Sequence, residues 1–224
     1  MSDVSALILD FGGVISRTLF ETHAMTERAL GLSPGTLTWQ GPFAPESDGL
    51  WTSMQNDEIS EREYWAQRAS EVGNLLGEHW TEMSQFVKAA RGADPESIIR
   101  PEAMDAIKSA SEAGVRLAVL SNELDLFYGS EFRRNLPFLQ KFDVVADATY
   151  TKILKPDPRA YLDCANELGV KPRHCVFVDD QERNVEGAKA VGMNAVLFDV
   201  RQPGKCFEQA LSMLAELPVE FAHA

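Results

Sequence analysis

Four short apolar runs, separated by helical patterns, constrain this chain more than any other feature. They are Ala6-Leu7-Ile8-Leu9, Arg116-Leu117-Ala118-Val119-Leu120, Cys175-Val176-Phe177-Val178 and Ala195-Val196-Leu197-Phe198. A fifth, shorter run is Val144-Val145. Runs that are apolar throughout, rather than at alternate positions, belong to strands buried on both faces. Helical patterns cover Glu102 to Ala113, Pro158 to Leu168 and Asn184 to Val191, and each ends near a glycine (Gly114, Gly169, Gly192), a common helix stop. Strands alternating with helices predict an α/β fold, a parallel sheet covered on both faces. At 224 residues the chain can make one large domain or two small ones.

The stretch from about Ser16 to Glu96 departs from that pattern. It has no strand run, and its helical periodicity falls at Thr22 to Leu30, Ser60 to Val72 and Gly77 to Ala90. Between the first two lies SPGTLTWQGPFAPESDGLW, rich in Pro, Gly and aromatics, which reads as an irregular loop. The stretch is acidic by about seven charges. It reads as a small helical insertion after the first strand, with domain limits of 1–16 and 97–224 for the α/β part and 17–96 for the insertion.

Ligands of an open parallel sheet bind beyond the carboxyl ends of its strands. Asp10 follows the first run, Ser121 and Asn122 follow the second, and Asp179 and Asp180 follow Val178. Lys155 precedes Pro156-Asp157-Pro158 at a helix start. Together these make a kit for a divalent cation and a phosphate. Mg²⁺ takes hard oxygen ligands, which Asp10, Asp179, Asp180 and the backbone carbonyl of Gly12 can supply. Ser121 and Asn122 can donate to phosphoryl oxygens, and Lys155 adds a fixed positive charge. Gly12 and Gly13 permit a sharp turn and let backbone N–H groups close on a phosphate.

A formal charge of −13 argues against nucleic acid or anionic membrane as partner. No run approaches the ~18 apolar residues of a membrane span, and the N-terminus lacks the pattern of a signal peptide. Cys164, Cys175 and Cys206 have no metal-type spacing and read as reduced thiols, which points to the cytoplasm.

The segments ILDFGGV, AVLSNE, LKPDPRAY and FVDDQERNVEGAKAVGM, in that order, resemble the four motifs of the haloacid dehalogenase-like (HAD) hydrolase superfamily. The resemblance spans nearly the whole chain. It implies a three-layer Rossmann-like core with an inserted all-helical cap of the C1 type, and the site between them. NDEISEREYW within the insertion is similar to a cap helix of the group that includes epoxide-hydrolase N-terminal phosphatase domains and sugar-phosphate phosphatases. The implied activity is Mg²⁺-dependent phosphatase action on a small phosphorylated metabolite. Asp10 would be the nucleophile forming an aspartyl-phosphate, and Ser121 and Lys155 would hold the transferring group. Asp180 would be the more direct metal ligand of its pair, and Asn184 would orient the loop.

One position departs from the resemblance. The phosphatase branch usually has Asp two residues after the nucleophile, as general acid and base; here it is Gly12. Either the leaving group needs little protonation, as in an anomeric sugar phosphate or acyl phosphate, or another group serves, or the protein binds a ligand without turnover. Glu123, His23 and Glu21 are the candidate replacements. Dehalogenases of the superfamily usually carry Ser-Ser-Asn in place of Asp179-Asp180, which sets that alternative behind. Phosphonoacetaldehyde hydrolase-like chemistry needs a cap lysine, and the first lysine is Lys88, late in the insertion. Trp39, Phe43 and Trp51 could line a substrate pocket or pin a loop. Exposed aromatics in the insertion would favour a homodimer.

Overall fold

The structure is a computed structural model, described here for residues 4–91 and 94–217. In chain order, β1 (Ala6–Leu9) is followed by α1 (His23–Leu30), α2 (Gly49–Gln55), α3 (Glu61–Leu75) and α4 (Met83–Arg91). Then come α5 (Pro101–Glu112), β2 (Arg116–Ser121), α6 (Leu124–Tyr128), α7 (Ser130–Arg134), β3 (Val144–Asp147) and α8 (Ala148–Thr151). The chain continues with α9 (Pro158–Leu168), β4 (Cys175–Asp179), α10 (Glu182–Ala190), β5 (Asn194–Leu197) and α11 (Pro203–Glu216).

The five strands form one sheet in the order β3-β2-β1-β4-β5, parallel at every pairing. This is an α/β Rossmann-like sheet. Side chains alternate across it, so Ala6, Ile8, Ala118, Leu120 and Phe177 share one face. There they pack with Ala160, Tyr161, Cys164, Ala165 and Leu168 of α9 and with Ala188 of α10. On the other face, α5 and α11 pack on each other and on the sheet. Burial on both sides explains why the runs carry no polar alternation. Cys164, Cys175 and Cys206 are buried free thiols, and burial pushes Cys164 and Cys175 up to about 12.

Three strands extend further than their apolar runs. β2, β3 and β4 each take in a polar residue (Ser121, Asp147, Asp179), because the ladder continues through Ser121↔Asp147 and Asp179↔Leu197. Backbone hydrogen bonding decides where a strand stops, and it is blind to side-chain polarity.

The chain divides into two compact units. One comprises Met1–Arg17, Ile98–Leu124 and Leu136–Ala224; the other comprises Thr18–Ser97 and Asp125–Asn135. The first holds the sheet. The second is helical, built on a cluster that includes Phe20, Trp39, Tyr64, Trp65, Val72, Trp80 and Phe86. Asp125–Asn135, read from sequence as part of the α/β region, groups with the helical unit. Phe127 and Tyr128 pack on its cluster, with the Phe127 and Trp65 rings 6.2 Å apart.

Within the helical unit the periodic segments shift at their ends. The reading of Gly77 to Ala90 as one helix is corrected: Gly77 has φ +72°, and α4 starts at Met83, after Gln85 Oε1 accepts from the Thr81 and Glu82 N–H groups. The supposed irregular loop ends in α2, capped by Asp48, whose carboxylate accepts from Trp51 N. Ser60 and Glu63 form a reciprocal capping box on α3. Trp39 is buried, and Trp51 and Phe43 pack on the same cluster, with Phe20 edge-on to Trp39 at 5.4 Å and to Trp51 at 5.3 Å. These aromatics therefore pin the unit's interior, and the exposed-aromatic argument for a homodimer falls away. Among the described residues no helix is long and apolar enough to cross a membrane.

Candidate active site

The site in the α/β unit begins where β1 ends. Asp10 N–H donates to Val178 O at 2.9 Å, so Asp10 leaves the sheet on a fixed heading. Its Oδ1 accepts from Phe11 N–H at 2.7 Å and pairs with Lys155 Nζ at 3.0 Å. Both contacts fall on one oxygen. Oδ2 accepts none among the described residues.

The turn after Asp10 is closed by Ser16, whose N–H and hydroxyl both bond Phe11 O. Gly13 lies at φ +78°, and a Cβ there would stand 2.3 Å from Asp180 Oδ2. Gly13 is thus required twice, once by the backbone and once by the carboxylate seated against it. Arg100, buried, donates to Gly13 O from Nε at 3.2 Å and Nη2 at 3.0 Å, with its guanidinium 5.5 Å from the Phe198 ring centre. Sequence reading passed over Arg100. Its signal was a basic residue just before Pro101, at a helix start, where the helix dipole disfavours a cation.

Lys155 is sealed, with its side chain 1 % exposed, and its Nζ bridges Asp10 and Asp179 Oδ2, the latter at 2.6 Å. Burial opposes the charged ammonium, yet Asp10 and Asp179 together hold it above the usual lysine range. Asp10 moves the other way. Burial raises it to about 7, with the Asp179 charge adding and the Lys155 charge and Phe11 N–H opposing.

Asn122 was expected to donate to a substrate oxygen. Its amide instead engages the Lys155 backbone at both ends: Lys155 N–H donates to Oδ1 at 2.7 Å and Nδ2 donates to Lys155 O at 3.1 Å. It ties the end of β2 to the lysine loop. Ser121, at the end of β2, is buried and its hydroxyl makes no hydrogen bond among the described residues.

Asp179 is fully occupied. Oδ1 accepts from Gln181 N–H at 2.9 Å and Asn184 Nδ2 at 3.0 Å; Oδ2 accepts from Lys155 and, at 3.2 Å, from Asn184. These contacts use about the four lone-pair positions that a carboxylate offers. Tyr161, buried under the sheet, donates to Asn184 O at 2.8 Å. A Cβ on Gly187 would come within 2.8 Å of that tyrosine hydroxyl and 2.9 Å of Pro156, so α10, α9 and the lysine loop are closely fitted.

Oxygens of Asp10, Asp179 and Asp180 lie within 4.8 Å of one another. The three carboxylates outnumber the one ammonium, Lys155, which pairs with Asp10 and Asp179, and hard carboxylate oxygens suit Mg²⁺. Of the residues considered as replacements for an acid at position 12, Glu123 follows Asn122 and is half-buried. Glu21 and His23 belong to the helical unit. Glu21 accepts from the Thr18 N–H at 2.8 Å and hydroxyl at 2.9 Å, and His23 stands edge-on to Trp39 at 4.3 Å.

Asp10 and the bridging Lys155 thus stand beyond the carboxyl ends of a parallel sheet in an α/β core. The chain belongs to the haloacid dehalogenase-like hydrolases, whose family model matches residues 4–192. It is 36% identical to Phosphatase MT3486 of Mycobacterium tuberculosis over 99 residues, covering 44% of this chain and 46% of that protein. The match thus spans less than half the length of that relative. It is 28% identical to Hexitol phosphatase B of Escherichia coli K12 over 171 residues, covering 68% of this chain and 77% of that one. Among solved structures, a HAD-superfamily hydrolase of subfamily IA, variant 1, from Geobacter sulfurreducens superposes with TM-score 0.60 at 17% identity, over 95% of this chain and 97% of that one. At that identity the likeness concerns the fold.

Proposed function

We propose that the protein is a Mg²⁺-dependent phosphatase of small phosphorylated metabolites that works through an aspartyl-phosphate on Asp10. The observation that carries this reading is Lys155, which holds Asp10 by Oδ1 and leaves Oδ2 unengaged beside two further carboxylates. Oδ2 attacks phosphorus in line, and the ester oxygen departs with its electron pair. Water then attacks the phosphorus of the aspartyl-phosphate, releasing phosphate and restoring the carboxylate. The Ser121 hydroxyl donates to a phosphoryl oxygen, and Lys155 balances the charge that gathers around Asp10.

Asp10, Asp180 and the carbonyl of Gly12 would hold the cation, with Asp179 supporting it through Lys155 and Asn184. Bound there, Mg²⁺ supplies neutralisation of the phosphoryl and carboxylate charges. Gly12 offers no proton to the leaving group. The substrate is therefore read as one whose leaving group departs with little help, an anomeric sugar phosphate or an acyl phosphate. The name of the hexitol phosphatase relative favours a sugar-like body. The helical unit is read as the cap that selects the substrate, and buried reduced thiols fit a cytoplasmic setting.

The test is phosphate release from phosphate esters, sugar 1-phosphates and acyl phosphates, with Mg²⁺, with EDTA, and with Asp10→Asn. Turnover that needs Mg²⁺, vanishes in Asp10→Asn and favours good leaving groups is expected. No phosphate from any of them, together with halide from 2-haloacids, would overturn the reading in favour of dehalogenation.

A further inference from the structure

The two steps of the proposed reaction feel the missing side chain of Gly12 unequally. In the first, Asp10 Oδ2 attacks phosphorus, the bond from phosphorus to the departing oxygen breaks, and that oxygen leaves with the electron pair. An oxygen that is stable as an anion needs no proton to do so. In the second, water attacks phosphorus, the bond to Oδ2 breaks, and a proton of the water must go to a base. No choice of substrate relieves that requirement.

The groups around Asp10 in the α/β unit are committed to other work. Gly12 has no side chain, and Gly13 has no room for one, since a Cβ there would stand 2.3 Å from Asp180 Oδ2. Lys155 is an ammonium shared by Asp10 and Asp179, whose charges hold it protonated. Asp179 accepts from Gln181 N–H, Asn184 Nδ2 and Lys155 Nζ, so a proton placed on it would displace a bond of the framework. Asp180 lies with Asp10 and Asp179 where a cation would sit, and is read as its ligand. Glu123, half-buried beyond Asn122, is the rival base that an experiment has to exclude.

We infer that the aspartyl-phosphate on Asp10 outlives its formation and passes its phosphoryl group to a carboxylate faster than to water, which makes the protein an acyl-phosphate phosphotransferase as well as a phosphatase. A carboxylate is ionised at neutral pH and attacks without losing a proton. Its oxygen bonds to phosphorus as the bond to Oδ2 breaks, and Asp10 recovers its electron pair. The product is an acyl phosphate, and so is phosphorylated Asp10, so the exchange is close to balanced in both directions. It is also the first step run backwards through the same transition state: a site that releases a carboxylate unaided takes one back unaided. The water step, by contrast, forgoes the about 10²–10⁴-fold that a positioned base supplies. The transfer rests on the phosphatase reading and narrows its substrate class to acyl phosphates.

The test uses the full chain with Mg²⁺, acetyl phosphate and ¹⁴C-acetate. It reads the phosphate released, the label entering acetyl phosphate, and the fraction of acid-quenched protein heavier by one phosphoryl group. Exchange of label is expected to run at least about tenfold faster than phosphate release. Most of the protein should be phosphorylated in steady state, and both signals should vanish in Asp10→Asn. Gly12 has φ −69° and ψ 128°, a conformation open to any residue, so Gly12→Asp should supply the base, speed phosphate release and empty the phosphorylated pool. Asp10-dependent phosphate release without exchange of label overturns the inference and leaves the phosphatase reading standing, whether Glu123 or another group proves to be the base. Release from sugar 1-phosphates with no turnover of acetyl phosphate does the same. No phosphate from any substrate overturns the reading and the inference together. The wild-type measurement decides even if Gly12→Asp fails to fold.

Discussion

Lys155 is the residue on which the electrostatics of the site turn. It is the ammonium that bridges Asp10 and Asp179, and all three are largely shut off from water. Removing one partner from a buried pair leaves the other charge uncompensated, at a cost of about 3–5 kcal/mol. Lys155→Met should therefore destabilise the cation-free protein by roughly that amount, and added Mg²⁺ should recover part of it. Thermal melts in EDTA and in Mg²⁺ check this; equal losses in both would show that the carboxylates gain nothing from a cation. Gly13→Ala tests the neighbouring constraint. A Cβ at φ +78° and 2.3 Å from Asp180 Oδ2 should cost about 1–3 kcal/mol of stability and abolish Mg²⁺-dependent phosphate release. At this scale the sequence placed Asp10, Ser121, Asp179 and Asp180 at the ends of strands, because each polar group or pair directly follows an apolar run. It was not readable for Asn122 or Arg100. Whether an amide faces a ligand or a backbone, and where a long guanidinium reaches, depends on groups distant in sequence: 33 residues separate Asn122 from Lys155 and 87 separate Arg100 from Gly13.

At the scale of elements, α5 and α3 each carry a support that reaches beyond its own turn. Arg100, at the start of α5, holds the carbonyl of Gly13, and through it the turn that carries Asp10 and faces Asp180. Supports of this kind commonly change metal affinity about 10–100-fold when removed. Arg100→Gln should raise the Mg²⁺ concentration for half-maximal activity by about that factor while leaving saturated turnover less affected. Arg100→Lys should lie between, and a fall in saturated turnover alone would assign Arg100 to general stability. In the helical unit, Arg68 of α3 meets Asp48, which also accepts from Tyr64 Oη at 3.0 Å, Trp51 N–H at 2.9 Å and Gly41 N–H at 3.3 Å. Asp48→Ala strips four donors of their acceptor and should cost about 3–5 kcal/mol in a denaturant melt. Elements with strong periodicity, such as α9 at Pro158–Leu168, were legible to the residue. Short ones, α6, α7 and α8, were not, because one turn of helix carries too few apolar positions to show a period.

At the scale of the whole molecule, protonation and cation binding are linked to folding. Asp10 has a folded pKa of about 7, above its ordinary value near 3.8. Between those limits the folded chain binds more protons than the unfolded chain, so stability of the cation-free protein should fall as pH rises from about 4 to 7. A divalent cation favours the carboxylate form and should offset that loss. The gap in Tm between Mg²⁺ and EDTA should therefore widen from pH 5 to pH 7.5. A gap independent of pH would mean that Asp10 is already ionised at pH 5.

The sequence by itself determined the fold class, the order of the strand-end residues and the helical insertion after β1, because these depend on local periodicity and on which polar groups follow buried runs. Only the tertiary structure decided that Asp125–Asn135 joins the helical unit and that Trp39 is interior. It also decided that Asn122 serves a backbone, and that Arg68 meets the carboxylates of Asp48 and Glu71. Each of these is a pairing between groups far apart along the chain, and the energy that selects among such pairings exists only once the chain has packed.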